Sequence, residues 1–284
     1  MTDVLQDTLI KAEGGDTAAM KMMSKWYYLG WETLRPSPEK SLEWAMRAAE
    51  AGDAEAQRLV GIKTEYAEGT QKDMIGAFVW YKKAYDGGDA DACFNLAQFF
   101  EGRKGVEAHL PTAMAYYEEG ARRGSARCQY HLALRCLTGR GVQRDTVRAI
   151  DLLEHAGQGG MPGAWEYMGM LYLEGRDVPR DPSMAFDCFT RAIAFFDFDD
   201  MVSIGNTPVY YALCLMTGTG CEKNVEEGRR ALRTAAVAGN PSAEQILDTK
   251  KVSDPSVQVC FGFDANAQFN KTGNIDWDIS ALLA

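Results

Sequence analysis

Cys128, His131 and Cys136 share one nine-residue stretch, and two thiols with an imidazole are ligand types that zinc prefers. A structural zinc site needs four ligands converging on one point. No fourth joins these three, and they would also have to share one face of the helix expected there. The chain has only three histidines, His109, His131 and His155. It contains no His-Glu-x-x-His and no Cys-x-x-Cys. A glycine-rich phosphate loop between strand and helix is absent, and so is Gly-x-Ser-x-Gly. Acidic residues number 40, yet no pair stands apart from what solvated helix faces require. The reading is therefore of no catalytic residue, no cofactor and no metal site. The remaining enzymatic alternative is a hydrolase whose groups converge in a cleft from distant parts of the chain.

The cysteines are Cys93, Cys128, Cys136, Cys188, Cys214, Cys221 and Cys260. Their number is odd and their spacing is irregular, which suits reduced thiols in a cytosol better than a disulfide framework. The first residues, Met1 to Asp7, lack a basic segment followed by an apolar one, so a cytoplasmic location is expected. The apolar stretch from Asn206 to Gly220 is too short to span a bilayer and contains Pro208. On that reading, Asn270-Lys271-Thr272 has no meaning as a glycosylation acceptor. The formal net charge of −10 argues against nucleic acid, whose binding needs Lys and Arg to displace counterions. It mildly favours a basic partner, although it serves solubility as well.

The elements that must position these residues repeat. Ala48, Ala84, Gly120, Ala156 and Ala192 stand 36 positions apart, and Ser41, Ala77, Ala113, Ala149 and Ala185 keep the same step. Small residues at a fixed period mark close packing between successive units, so the 284-residue chain reads as an all-α solenoid of helix-turn-helix repeats. In the unit from Gly124 to Gly160, Cys128, Leu132, Ala133 and Cys136 recur at helical spacing and define helix A. Thr138 to Val142 breaks it with glycines. Asp145 caps helix B, on which Ala149, Leu152, Leu153 and Ala156 share a face, and Gly157 to Gly160 ends it. The helix B cap repeats as Ser37, Asp73, His109, Asp145, Asp181 and Asn224. Five of the six are good N-cap residues. His109 is the exception, and Pro111 suggests a helix starting one residue late. Large residues recur at Trp44, Trp80, Tyr116 and Leu152, and at Tyr81, Tyr117, Leu153 and Phe189. They read as rings filling the gap opposite the small residues of a neighbouring unit, in preference to an aromatic ligand box.

The strings Ala45 to Ala56, Gly139 to Asp145 and Phe78 to Ala84 resemble the junction and turn motifs of Sel-one-like repeats, relatives of the tetratricopeptide repeats. The resemblance covers roughly residues 12 to 248, as six units and the start of a seventh, with 1–11 as an N-terminal cap. It implies a right-handed superhelix whose A helices line the concave side, and an adaptor role in protein complexes. The cysteine-rich secreted members pair the end of helix B with the next helix A; here those positions are not both Cys.

Two segments break the pattern. From Ala192 the next small residue is Ala235, a step of 43, so seven residues are inserted between 193 and 208. They read either as a longer helix B with a tolerated loop or as a changed binding edge. After Asp248 the repeat ends. The tail 249–284 alternates like a strand at Val257 to Phe263 and carries Phe269 and Trp277. It is expected to cap the last repeat, or else to lie in the groove of a neighbouring copy and so make a homo-oligomer.

Helix A positions facing away from helix B are expected at Arg58 and Ile62, Phe94 and Gln98, Tyr130 and Leu134, Glu166 and Met170, and Val209 and Leu213. Two readings stand: a groove for a helix or extended peptide, or core buried by tight curvature. The functional expectation is a protein–protein interaction scaffold, adaptor or regulator using this face. The alternative is an immunity-type protein or inhibitor that occludes a toxin or enzyme.

Overall fold

The computed structural model describes residues 3–102, 107–195 and 205–248. Among them are fourteen α-helices and, outside helices, one isolated bridge between Trp31 and Leu34. In chain order they are α1 (Asp3–Glu13), α2 (Thr17–Leu29), α3 (Pro38–Glu50), α4 (Ala54–Tyr66), α5 (Met74–Asp86), α6 (Ala92–Phe100) and α7 (Leu110–Arg122), followed by α8 (Ala126–Thr138), α9 (Thr146–Gln158), α10 (Pro162–Glu174), α11 (Pro182–Ala194), α12 (Thr207–Thr217), α13 (Val225–Val237) and α14 (Pro241–Asp248). Even-numbered helices are the A helices, and odd-numbered ones from α3 onward are the B helices. The fold is an all-α repeat solenoid.

Side-chain caps set the helix starts. Ser37, Asp73, Asp145, Asp181 and Asn224 each accept a backbone N–H from the first turn of their B helix. His109 does the same, which corrects the expectation for that helix. Its Nδ1 accepts the Thr112 N–H at 3.3 Å, and α7 begins at Leu110 in register with the others. An imidazole nitrogen with a lone pair replaces the usual oxygen, and Pro111 falls within the first turn, where its missing N–H costs nothing.

The chain divides into two compact units, Met1–Arg135 with Gly139–Gln143, and Cys136–Thr138 with Arg144–Ala284. The first contains α1 to α7 and most of α8. Here α1 packs on α2, with Leu5 and Ala12 buried beside Met20, Met23 and Trp26. Ala12 lies 36 positions before Ala48, so the expected N-terminal cap is a helix in register with the B series. The second unit buries Phe189, Tyr210 and Cys214 in one cluster and Val209, Leu213, Leu232 and Ile246 in another.

Every member of both small-residue series is buried. The rings meet the next unit, with Tyr81 edge-on to Phe99 at 6.1 Å and Phe189 stacked on Tyr210 at 5.3 Å, and they also sit over their own pair. A Cβ added to Gly61 of α4 would lie 2.6 Å from the Tyr81 ring of α5, and one on Gly169 of α10 would lie 2.4 Å from the Phe189 ring of α11. Each ring thus fills a hollow over the A helix of its own pair. Full burial of such a ring contributes about 1.5–3 kcal/mol. Gly157 differs from expectation too. It lies inside α9, where its missing Cβ admits the indole of Trp165.

Helix B does not lengthen at the insertion. The helix α11 has the same 13 residues as α9 and α13 and stops at Ala194. Most of the expected insertion falls on residues 196–204, and the expected strand and helical turn of the tail fall on 249–284. Both lie outside the described residues.

Candidate functional site

The ten positions expected to line a binding face form two rows, one turn apart on the A helices, and the two rows have different fates. The first row runs Arg58, Phe94, Tyr130, Glu166 and Val209. In the first unit, Arg58 Nε of α4 donates to both carboxylate oxygens of Asp89, at 3.0 and 3.1 Å. Asp89 in turn accepts the Ala92 N–H at 2.7 Å, so this ion pair ties α4 to the start of α6. Phe94 of α6 is buried, with ring centroids at 4.8 Å from His131 of α8 and 6.3 Å from Tyr117 of α7. The Arg127 guanidinium sits 5.0 Å from the Phe94 ring centre. Tyr130 is buried as well, edge-on to His131 at 5.4 Å. In the second unit, Glu166 of α10 is buried and accepts the hydroxyl of Thr207 at the start of α12. Arg58, Phe94 and Glu166 each join their A helix to its surroundings and Tyr130 is buried, leaving little free side chain to offer a partner.

The second row runs Ile62, Gln98, Leu134, Met170 and Leu213. Ile62, Gln98, Leu134 and Met170 are partly exposed. Ile62 lies against the cluster of Tyr81, Leu96 and Phe99, and Met170 against that of Leu173, Phe189 and Tyr210. Val209 and Leu213 depart from the expected surface altogether. Both are fully buried, because α12 is followed by α13 and by the further helix α14, whose Ala243 and Ile246 share the same core.

The thiol and imidazole group that resembles a zinc half-site serves packing. Cys128 and Cys93 are buried, and both crowd the space beside Gly120. Burial pushes the Cys128 thiol up to about 12 and that of Cys93 to about 11. His131 stacks on Tyr117 at 5.9 Å. Among the described residues, no group of three or more His, Cys, Asp or Glu is arranged to hold a metal ion. Nor is any described helix long and apolar enough to cross a membrane.

A second apolar surface was not anticipated from sequence. Tyr28, Leu29, Trp31 and Tyr66 are all exposed, near the ends of α2 and α4. Tyr28 donates to Glu68 at 3.2 Å, and Lys63 Nζ lies 4.5 Å from the Tyr28 ring centre. Trp31 stacks on Trp26 at 5.4 Å. The signal was available: the turn from Gly30 to the Ser37 cap is one residue longer than the turn from Ala67 to the Asp73 cap.

The Sel1 repeat pattern matches six segments, 17–53, 54–89, 90–125, 126–161, 166–194 and 209–239, which together make up most of the chain. No curated protein sequence matches. Among solved structures, the chain is similar to a protective antigen of uropathogenic Escherichia coli with an SLR fold, at 24% identity and a TM-score of 0.64 over 87% of this chain. The chain spans about half of that antigen, 52% of its length. It is also similar to a Sel1 repeat protein from Oxalobacter formigenes, at 21% identity and a TM-score of 0.64, covering 82% of this chain and 99% of the other. An immunity protein of Pseudomonas aeruginosa matches at 15% identity and a TM-score of 0.51, over 68% of this chain and 73% of the other. At these identities the likeness is one of fold.

Proposed function

The chain belongs to the Sel1 repeat family, and from that premise we propose that it is a non-catalytic interaction scaffold, an adaptor or regulator that binds a partner protein or peptide along its A helices. Sel1 repeat proteins generally mediate protein–protein interaction. One observation carries the finer reading. At one register position, Ile62, Gln98 and Leu134 of three successive A helices in the first unit stay partly exposed, and so does Met170 at the same position in the second. A row of adaptable and apolar side chains on rigid helices suits an extended or helical ligand. The net charge of −10 favours a basic one, and a cytoplasmic location is part of the same proposal.

The test is affinity capture from native cytosol, comparing wild type with Gln98→Ala/Met170→Ala. A specific partner lost by a variant that keeps its melting temperature supports the reading. A partner retained by that variant moves the site to Tyr28, Trp31 and Tyr66, to 196–204 or to 249–284.

A second reading, an immunity-type protein or inhibitor that occludes a basic toxin or enzyme, is favoured by the same charge and by fold likeness to the Pseudomonas aeruginosa immunity protein. Electrostatic steering would then make association fast and steeply salt-dependent. Tight binding indifferent to salt argues against it. A hydrolase is the third reading, and screening ester, amide and glycoside substrates decides it.

A further inference from the structure

The helix α6 is covered over most of its surface. From Ala92 to Phe99 its residues are buried except Gln98, which is partly exposed, as is Asp91 just before the helix. The open strip of α6 therefore runs Asp91, Asn95 and Gln98, four and then three positions apart and so on one face. Asn95 stands in the middle of that strip, at the register of Leu59 on α4 and His131 on α8, both partly exposed. It is only 6% exposed, and among the described residues nothing donates to its buried Oδ1. An amide oxygen in that position forfeits the hydrogen bond that water gave it in the unfolded chain. Gln57 Oε1 and Trp165 Nε1 are orphaned as well, but their side chains lie against the preceding B helix. Gln57 Nε2 donates to Ala49 at 3.2 Å, and the Trp165 indole covers Gly157. Asn95 belongs to the open side instead, one turn before Gln98. Packing alone asks for something else at this register: Leu59 lies against the core of the first unit.

We propose, resting on the reading of the A helices as the binding face, that Asn95 is a binding residue for the backbone of an extended peptide and holds one of its peptide groups by hydrogen bonds. A carboxamide carries an acceptor oxygen and two N–H donors, the complement of a peptide group's N–H and C=O. A half-turn about its terminal bond exchanges oxygen and nitrogen, so either can be brought to the open side. A helical ligand has few N–H groups to give, since all but its first turn are bonded within the helix. An extended segment keeps its backbone groups available. It lengthens by about 3.3 Å per residue, so every third residue meets the next A helix at a spacing of about 8–10 Å. Ile62 on α4 and Leu134 on α8 then flank Gln98 and take apolar side chains on either side of the held group. The net charge of −10 makes a basic segment the better match. Contact through the backbone selects the partner's conformation more than its sequence.

The test uses the full chain and a displayed library of short random peptides. Wild type should select peptides that Gln98→Ala/Met170→Ala binds more weakly. Asn95→Leu should weaken them about tenfold, as loss of one hydrogen bond does, and should raise the melting temperature, because an orphaned amide gives way to the residue type of Leu59. In a selected peptide, backbone N–H groups are replaced one at a time by ester oxygen. One position should cost wild type about tenfold and Asn95→Leu almost nothing. Peptides held equally by wild type and Asn95→Leu, yet lost by Gln98→Ala/Met170→Ala, would overturn the inference and leave the adaptor reading intact. So would an Asn95 dependence that follows a lysine or serine side chain of the peptide and no backbone N–H. Peptides indifferent to every variant would remove both, and a wild type that selects nothing overturns the inference too. If Asn95→Leu does not fold, Asn95→Ala takes its place and the ester comparison decides in the same way.

Discussion

A Cβ placed on Gly120 would lie 2.3 Å from the sulfur of Cys128, with the Cβ of Cys93 at 2.8 Å on its other side. Here α7 meets α8 so closely that the repeat's small position must be glycine, where its equivalents Ala48, Ala84, Ala156 and Ala192 tolerate a methyl group. Gly120→Ala should destabilise the chain by about 1–3 kcal/mol through overpacking, despite alanine's better helix propensity. Cys128→Ala in the same chain should recover part of the loss, because it removes the nearer clash. Denaturant unfolding of the two variants measures both effects.

The solenoid was legible because this crowding recurs. Each unit needs a small residue at one point of helix B, and a recurring steric demand leaves a period that can be counted. The N-caps were legible for the same reason, with His109 missed only because an imidazole nitrogen is a rare acceptor there. The first row of the expected binding face falls under the core reading, a choice that period alone could not make because it does not say how far a side chain reaches. Arg58 looks like a surface cation until Asp89 is found at its tip, and Glu166 looks like a solvated acid until Thr207 covers it. Val209 and Leu213 fall under the core reading for a different reason: α14, the start of a seventh unit in the sequence, supplies Ala243 and Ile246 to the same cluster.

The Arg58–Asp89 pair joins α4 to α6 and should matter for stability more than for partner binding. Arg58→Ala should cost about 1 kcal/mol, in keeping with a pair that water still reaches in part. Asp89→Ala should cost more, since it also removes the acceptor for the Ala92 N–H at the start of α6. A double-mutant cycle by chemical denaturation separates the pair from the cap. Equal losses from the two single variants would show that the cap bond contributes nothing.

Thiol chemistry should sort by burial. Cys93, Cys128, Cys188 and Cys214 are buried, with thiols pushed up to about 11 for the first and about 12 for the other three. Cys221 is only half-buried. Alkylation of native protein near pH 8, read by peptide mass spectrometry, should modify Cys221 well before those four. The same shifts set an alkaline limit. The folded state holds these thiols protonated, so their contribution to stability is complete below the ordinary thiol range and falls away as pH rises toward about 12. Replacing Cys188 with Ala should reduce the slope of stability against pH above about pH 9.

Capture of a partner from native cytosol by wild type, by Gln98→Ala/Met170→Ala and by Arg58→Ala in parallel, with melting temperatures recorded for all three, tests the central claim most directly. The account predicts one specific partner that Gln98→Ala/Met170→Ala loses at unchanged melting temperature, and that Arg58→Ala retains despite its lower one. A partner held equally by all three chains would contradict it and take the binding face away from the A helices.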